Sequence, residues 1–256
     1  MNTLKTEQEG GHTPLMKSVR SMRIPASNEL LFSWGRYLYW ADLMQRQWDK
    51  FMTEKGADAK NANPEWLGVS CYWAASLYVV IEGWETAKFK EPIIDALLGV
   101  SNYKGVLRRL RNGAFHYQQE LISKKIIEFF QSPDVTPWLY FLHEEFCRRL
   151  RDFVETVARS ARFSPEQAQE WHEDFAHLIG WLPLRPAEKE LKALRKKFDD
   201  IENELDASGS TSEAAQDLRA SLSQYDTAVK KTEESIKEYR RNQLAKLGLN
   251  PHDFLP

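Results

Sequence analysis

The sequence predicts an all-α protein in two parts, a helical bundle followed by a long antiparallel coiled-coil hairpin. Three observations predict it. Apolar residues recur at alternating spacings of three and four over most of the 256-residue chain, the repeat of one face of an α-helix. Prolines stand at 14, 25, 64, 92, 133, 137, 165, 183, 186, 251 and 256, each where a periodic segment begins or has just ended, as helix punctuation requires. From Ala187 onward the spacing persists, but almost everything between the apolar positions is charged, which is the pattern of a heptad seam.

Residues 1–26 are polar, mixed in charge and aperiodic, and read as a flexible lead-in. The first helix, over roughly 28–54, carries Trp34, Tyr37, Ala41, Met44, Trp48 and Phe51 on one face. Asn63-Pro64-Glu65 supplies an N-cap, a proline at the first helical position and an acid at the positive helix end, and so opens a second helix to about Lys88. This helix is apolar nearly all round and is predicted to be the central one. Its uncharged stretch, Trp66 to Ile81, is 16 residues, short of the ~20 that span a bilayer, so no membrane partner is expected. A short helix in PIIDALL ends at Gly99, another starts near 102 and contains VLRRLRNGAFHYQ, and LISKKIIEFF forms the next. Thr136-Pro137 starts a long helix with Trp138, Leu142, Phe146, Leu150, Phe153 and Val157 inward. Ser164-Pro165-Glu166-Gln167 is a capping box for a helix ending at Gly180, which closes a bundle over 27–183.

In the second part, Leu191, Leu194, Phe198, Ile201 and Leu205 form one seam, ASGSTS breaks the helix, and Ser210 with Glu213 caps its successor. Leu218, Leu222, Tyr225, Val229, Thr232, Ile236 and Tyr239 then resume the spacing. The hairpin over 187–247 has arms of about 20 and 35 residues, or ~30 and ~52 Å. Its longer arm leaves Ile236 and Tyr239 beyond the shorter one, so the hairpin reads as a separable docking arm for a protein partner, with 248–256 as a C-terminal tail.

Composition narrows the function classes. Net charge is -2, so any nucleic-acid contact must come from a local basic patch. Cys71 and Cys147 lie in apolar runs with no C-x-x-C, which argues against a disulfide scaffold or a cysteine zinc site. The polar N-terminus has no apolar secretory core, and a reducing, cytoplasmic setting is expected. No phosphate-cradling glycine loop is present. His172 and His177 resemble a metal-binding H-E-x-x-H pair with one residue too many, which turns them about 140° apart on a helix. No metal or cofactor is expected. Trp34, Trp48, Trp73 and Trp138 fall on inward faces and read as core rather than as base-stacking surface.

One stretch stands apart. Between Asp95 and Glu120 there is no acid, while Lys104, Arg108, Arg109 and Arg111 are all basic, a local charge of +4 that would attract a polyanion. Within it lies Arg111-Asn112-Gly113-Ala114-Phe115-His116. On an unbroken helix Asn112 and Arg109 share the face of His116 while Arg111 is turned about 140° away. Gly113 would weaken the helix there and let Arg111 and His116 converge. A helix-end histidine beside solvated arginines is the plainer reading of the same residues.

Arg111-Asn112 followed by three residues and His116, in an all-α chain, resembles the R-x4-6-H signature of the HEPN domain family. The resemblance covers about residues 28–182 and excludes the hairpin. It implies a helical bundle that forms a homodimer with two motifs meeting across the two-fold axis and, in active members, a metal-independent endoribonuclease, often in toxin or phage-defence systems. Some members of that family carry Tyr two residues after the histidine; here Tyr117 follows directly and Gln118 takes that position. The residues suit the chemistry by themselves. His116 can act as general acid or base, Arg111 can clamp phosphate oxygens through paired hydrogen bonds, Asn112 can orient either, and Lys104, Arg108 and Arg109 can hold RNA backbone. The competing expectation is a non-catalytic helical interaction or RNA-binding protein that uses the hairpin to dock.

Overall fold

The computed structural model describes residues 26–55, 64–120, 122–132, 134–158, 164, 166, 193–197, 199–201, 203 and 213–255. Among them every regular element is a helix. In chain order these are α1 (Ala26–Lys55), α2 (Pro64–Thr86), α3 (Pro92–Gly99), α4 (Tyr103–Phe115), α5 (Lys124–Gln131), α6 (Val135–Ala158) and α7 (Glu213–Lys246), with a 3-10 turn at Pro251–Asp253. The lead-in up to residue 25, the His172 and His177 segment, the helix expected to end at Gly180 and the Pro183/Pro186 junction lie outside the described residues.

Local chemistry sets the helix starts. Pro64 and Pro92 occupy first helical positions, where the missing N–H is not needed, and the Glu91 carboxylate accepts from the Ile94 amide at 2.9 Å to cap α3. α2 is the central helix, packed against both α1 and α4. It buries Cys71, Trp73, Ala74, Leu77, Val80, Ile81 and Trp84, while Tyr72 and Glu85 reach the surface. α1 presents Trp34, Leu38, Ala41 and Trp48 to it, a face that also buries the polar Asp42 and Gln45. The four tryptophans expected inside are inside, and three of them satisfy their indole N–H on the way in. Trp34 donates to the Val80 carbonyl at 3.1 Å, Trp138 to the Leu97 carbonyl at 2.8 Å and Trp73 to His143 Nδ1 at 3.0 Å. Trp34, Trp84, Phe89 and Phe146 meet with ring centroids 5.4 to 5.7 Å apart, in tilted and edge-on pairs.

One expectation is corrected by the C-terminal part. Tyr239 was expected to overhang; its hydroxyl donates instead to Glu144 of α6 at 2.7 Å, and Arg240 makes two hydrogen bonds to Glu145 at 2.8 and 3.0 Å. The C-terminal residues pack on the bundle: Leu244 and Leu255 are buried in the same core as α1 to α6, with Leu247, Leu249 and Phe254 packed against it. The reason is that a second face of α7, with Arg240, Leu244 and, just past its end, Leu247 at spacings of four and three, turns to the bundle. Nearer its start, Lys197 lies over the Tyr225 ring and Arg195 pairs with Glu233.

Candidate nucleic-acid site

The motif sits on α4, and the helix decides where each residue points. Val106, Leu107, Leu110 and Gly113 face the core. Lys104, Arg108, Arg111 and Phe115, spaced four, three and four, form the flank toward α2, while Arg109 lies on the opposite flank toward α5. α4 runs without a break from Tyr103 to Phe115, so Gly113 is not a hinge that brings Arg111 to His116. A Cβ at Gly113 would stand 3.0 Å from Ser123 Oγ and 3.3 Å from Lys125 Cβ. Glycine is there because α5 packs directly on the α4 backbone.

Three of the four cations expected to make a bare basic patch are already paired. Lys104 bonds Glu85 of α2 at 2.7 Å, Arg109 holds Glu128 of α5 through two hydrogen bonds, and Arg111 bonds Glu82 of α2 at 2.5 Å. The partners come from 19 to 29 positions away in the chain, so a charge count confined to the segment overstates its field. The hydrogen bond from Arg109 holds the Glu128 carboxyl below the usual carboxylate range. Arg108 alone of the four has no carboxylate in ion-pair distance among the described residues.

Arg111 is the most constrained of the set. Besides Glu82 it bonds the Asn112 side-chain oxygen at 3.1 Å, and its guanidinium carbon stands 5.3 Å from the centroid of the Tyr78 ring. Burial, helped by Glu82, pushes the Tyr78 phenol above its ordinary range against the opposing pull of Arg108 and Arg111. A quarter of the Arg111 side chain remains open to solvent.

His116 is the residue at which α4 ends. Its backbone is extended, φ -118° and ψ 139°, and its side chain is exposed. Arg111 and Asn112 are in contact, but no hydrogen bond joins the His116 ring to either of them among the described residues. The turn beyond is fastened by Gln118, whose amide donates to the carbonyls of His116 at 2.8 Å and Tyr117 at 3.1 Å and approaches that of Asn112 at 3.4 Å. Its oxygen accepts from Lys125 of α5 at 3.2 Å. Sequence reading missed this role; a glutamine just after a helix end was the available signal.

Comparison of the chain with protein-family models, curated proteins and solved structures finds no match. The site must therefore be judged on its own chemistry.

A second cluster also went unnoticed in the sequence. Asp42, His143 and Cys147, all buried, bring potential metal-ligating atoms within 4.8 Å of one another. The chemistry of the ring opposes coordination. Trp73 can only donate, so His143 Nδ1 holds the lone pair and the proton of the neutral ring sits on Nε2, the nitrogen 3.8 Å from Asp42. A nitrogen carrying a proton is no ligand, and the remaining pair, Asp42 and Cys147, is too few for a zinc site. No helix among the described residues is long and apolar enough to cross a membrane.

Proposed function

We propose that the chain is a HEPN-like, metal-independent endoribonuclease that works as a homodimer in the cytoplasm, cutting single-stranded RNA with His116 as acid/base, Arg111 as phosphate clamp and Asn112 as orienting group. The observation that supports this reading best is the position of His116. Its imidazole stands in solvent at the tip of the helix that carries Arg111 and Asn112, with no side-chain partner among the described residues, so it is free to meet a substrate. The Arg111 guanidinium is aimed by Glu82 and Asn112, which fixes a cation beside the path of an incoming phosphate.

The reaction needs no group beyond side chains. The 2′-oxygen attacks phosphorus and the bond to the 5′-oxygen breaks; one base takes the 2′-OH proton, one acid gives a proton to the 5′-oxygen, and a cation stabilises the crowded phosphorane. One chain brings one such histidine. A two-fold dimer would bring its mate, so that a neutral ring and a protonated ring share the work. Activity would then depend on dimerisation.

The pairing of Arg195 with Glu233 and of Lys197 with Tyr225 fits two antiparallel arms, since the later residue of one segment meets the earlier of the other. We read this as the coiled-coil hairpin, and its outer surface as the face for a protein partner.

One observation favours the non-catalytic reading, namely that Lys104, Arg109 and Arg111 are committed to carboxylates before any ligand arrives. A change at His116 separates the two. His116→Ala should lose about 10² to 10⁴ in cleavage rate, as removal of a general acid or base does, and keep most of its RNA affinity. Arg111→Ala should weaken rate and binding together. A chain that cleaves no RNA and binds it unchanged in His116→Ala is the interaction protein instead.

A further inference from the structure

Next to the motif lies a surface that the catalytic reading does not use. Trp40 of α1, Tyr72 of α2 and Phe115 of α4 are each close to half exposed, although most large apolar side chains of these helices are inside. They are neighbours. The Tyr72 and Phe115 rings are stacked, with centroids 5.8 Å apart and planes 25° apart, and Tyr37 meets Trp40 edge-on at 5.1 Å. Between the two pairs is a cleft of about 170 Å³ walled by Tyr37, Trp40, Ser76, Val79 and Phe115. Arg36 stands 5.6 and 5.5 Å from the centroids of the Tyr37 and Trp40 rings, and no carboxylate pairs with it among the described residues.

We propose that this cleft is a base subsite, which takes one unpaired nucleobase of a single-stranded RNA between Trp40 and Phe115 while Arg36 and Arg108 hold the adjoining phosphates. The proposal rests on the reading of RNA as the ligand and adds to it what the site recognises. Four features carry it. The walls are aromatic faces, the surface on which any base stacks whatever its sequence. The volume suits one planar ring system and is too small for the several side chains that an amphipathic partner helix inserts in a row. Arg36 at its edge, and Arg108 two turns before Phe115 on the same flank of α4, lack carboxylate partners among the described residues, so a polyanion would neutralise them, whereas a second copy of the same face would bring like charges together. Finally, Phe115 is the residue directly before His116, so the cleft adjoins the end of α4 that carries that imidazole. Duplex RNA offers no such base, because its bases are paired and stacked within the helix.

The full-length chain, titrated against a fluorescein-labelled single-stranded oligouridine whose 2′-oxygens are methylated so that it cannot be cut, tests this by anisotropy, with an abasic oligomer of the same length and an RNA duplex, both likewise methylated, as comparison probes. Wild type should bind the oligouridine more tightly than either. Trp40→Ala and Phe115→Ala should each weaken oligouridine binding about tenfold or more, leave the abasic oligomer unaffected, and retain the wild-type melting temperature, since both side chains are at the surface. Trp40→Phe, which keeps a stacking face, should recover most of the loss. If wild type binds no RNA, the functional reading falls and the subsite with it. If wild type binds the oligouridine and both alanine variants match it, the subsite alone is overturned. If Trp40→Ala instead shifts the sedimentation of the protein and leaves RNA binding intact, the face is a contact between copies of the chain and the proposal is wrong.

Discussion

Arg111 stands on α4 and His116 ends it, and what each can do follows from its neighbours. Arg111 is held by a carboxylate, an amide oxygen and an aromatic face, so its geometry is set before any ligand arrives; the His116 backbone is fastened by Gln118, but its ring has no hydrogen-bond partner among the described residues. Arg111→Ala removes a partly solvated ion pair and a cation–ring contact with Tyr78, together about 1 to 2 kcal/mol of stability. A correspondingly small fall in melting temperature beside a large loss of RNA binding would show that the residue serves the site more than the fold. The thiol of Cys71 gives a second test at this scale. Burial pushes it up to about 11, which leaves roughly one molecule in a thousand as thiolate at pH 8. Iodoacetamide should therefore label the native protein hardly at all and label it readily in denaturant. Fast labelling of the native chain would mean that the wall of the core around α2 is open.

Among elements, the contact of α4 with α5 is the one the motif depends on, because it fixes where the motif helix ends. Gly113→Ala adds a methyl group against Ser123 and Lys125, and such overpacking costs about 1 to 3 kcal/mol. A thermal melt should show the loss; an unchanged melt would return Gly113 to the role of a hinge. The docking of α7 on α6 rests on Glu145, which is 2% exposed and bonded to both Arg148 and Arg240. Burial alone would lower the guanidinium of Arg148, and Glu145, followed by Glu91 and Asp152, outweighs it and keeps the group charged. Removing Glu145 leaves two cations short of a partner, a cost of about 2 to 3 kcal/mol once their partial exposure is allowed for. Glu145→Ala should melt earlier and release α7 to proteolysis, while Glu145→Gln should do so less. Helix starts of this kind were legible in the sequence because Pro64, Pro92 and Pro137 act on their own neighbours. The partners of Arg109 and Arg111 were not, because Glu128 and Glu82 reach the motif only after the chain has folded. Gly113 was misread for the same reason, since a close helix approach and a weak helix leave the same letter.

For the whole molecule, the sequence showed that the chain is helical and where most of the described helices begin, and it hid how the C-terminal part attaches. Leu244 lies five residues past Tyr239, off the three-four spacing of the seam, and nothing in that spacing says what it faces; here it is fully buried in the bundle core, with Leu255 buried beside it in the same core. Truncation after Pro183, which a separable hairpin would tolerate, should remove about 3 to 6 kcal/mol of apolar burial from these two leucines alone, a large share of the stability of a typical domain. The truncated chain should melt well below the full one or fail to fold; a truncated chain as stable as the full protein would restore the independent hairpin. The central claim is that the tip of α4 is a catalytic site for RNA. Its most direct test is to incubate purified protein with single-stranded RNA in EDTA and identify the ends of any product. The account predicts cleavage that leaves 2′,3′-cyclic phosphates, stops when the 2′-OH at the cut is replaced by hydrogen, and disappears in His116→Ala. Intact RNA after incubation with a folded dimer, or equal cleavage by His116→Ala, would contradict it.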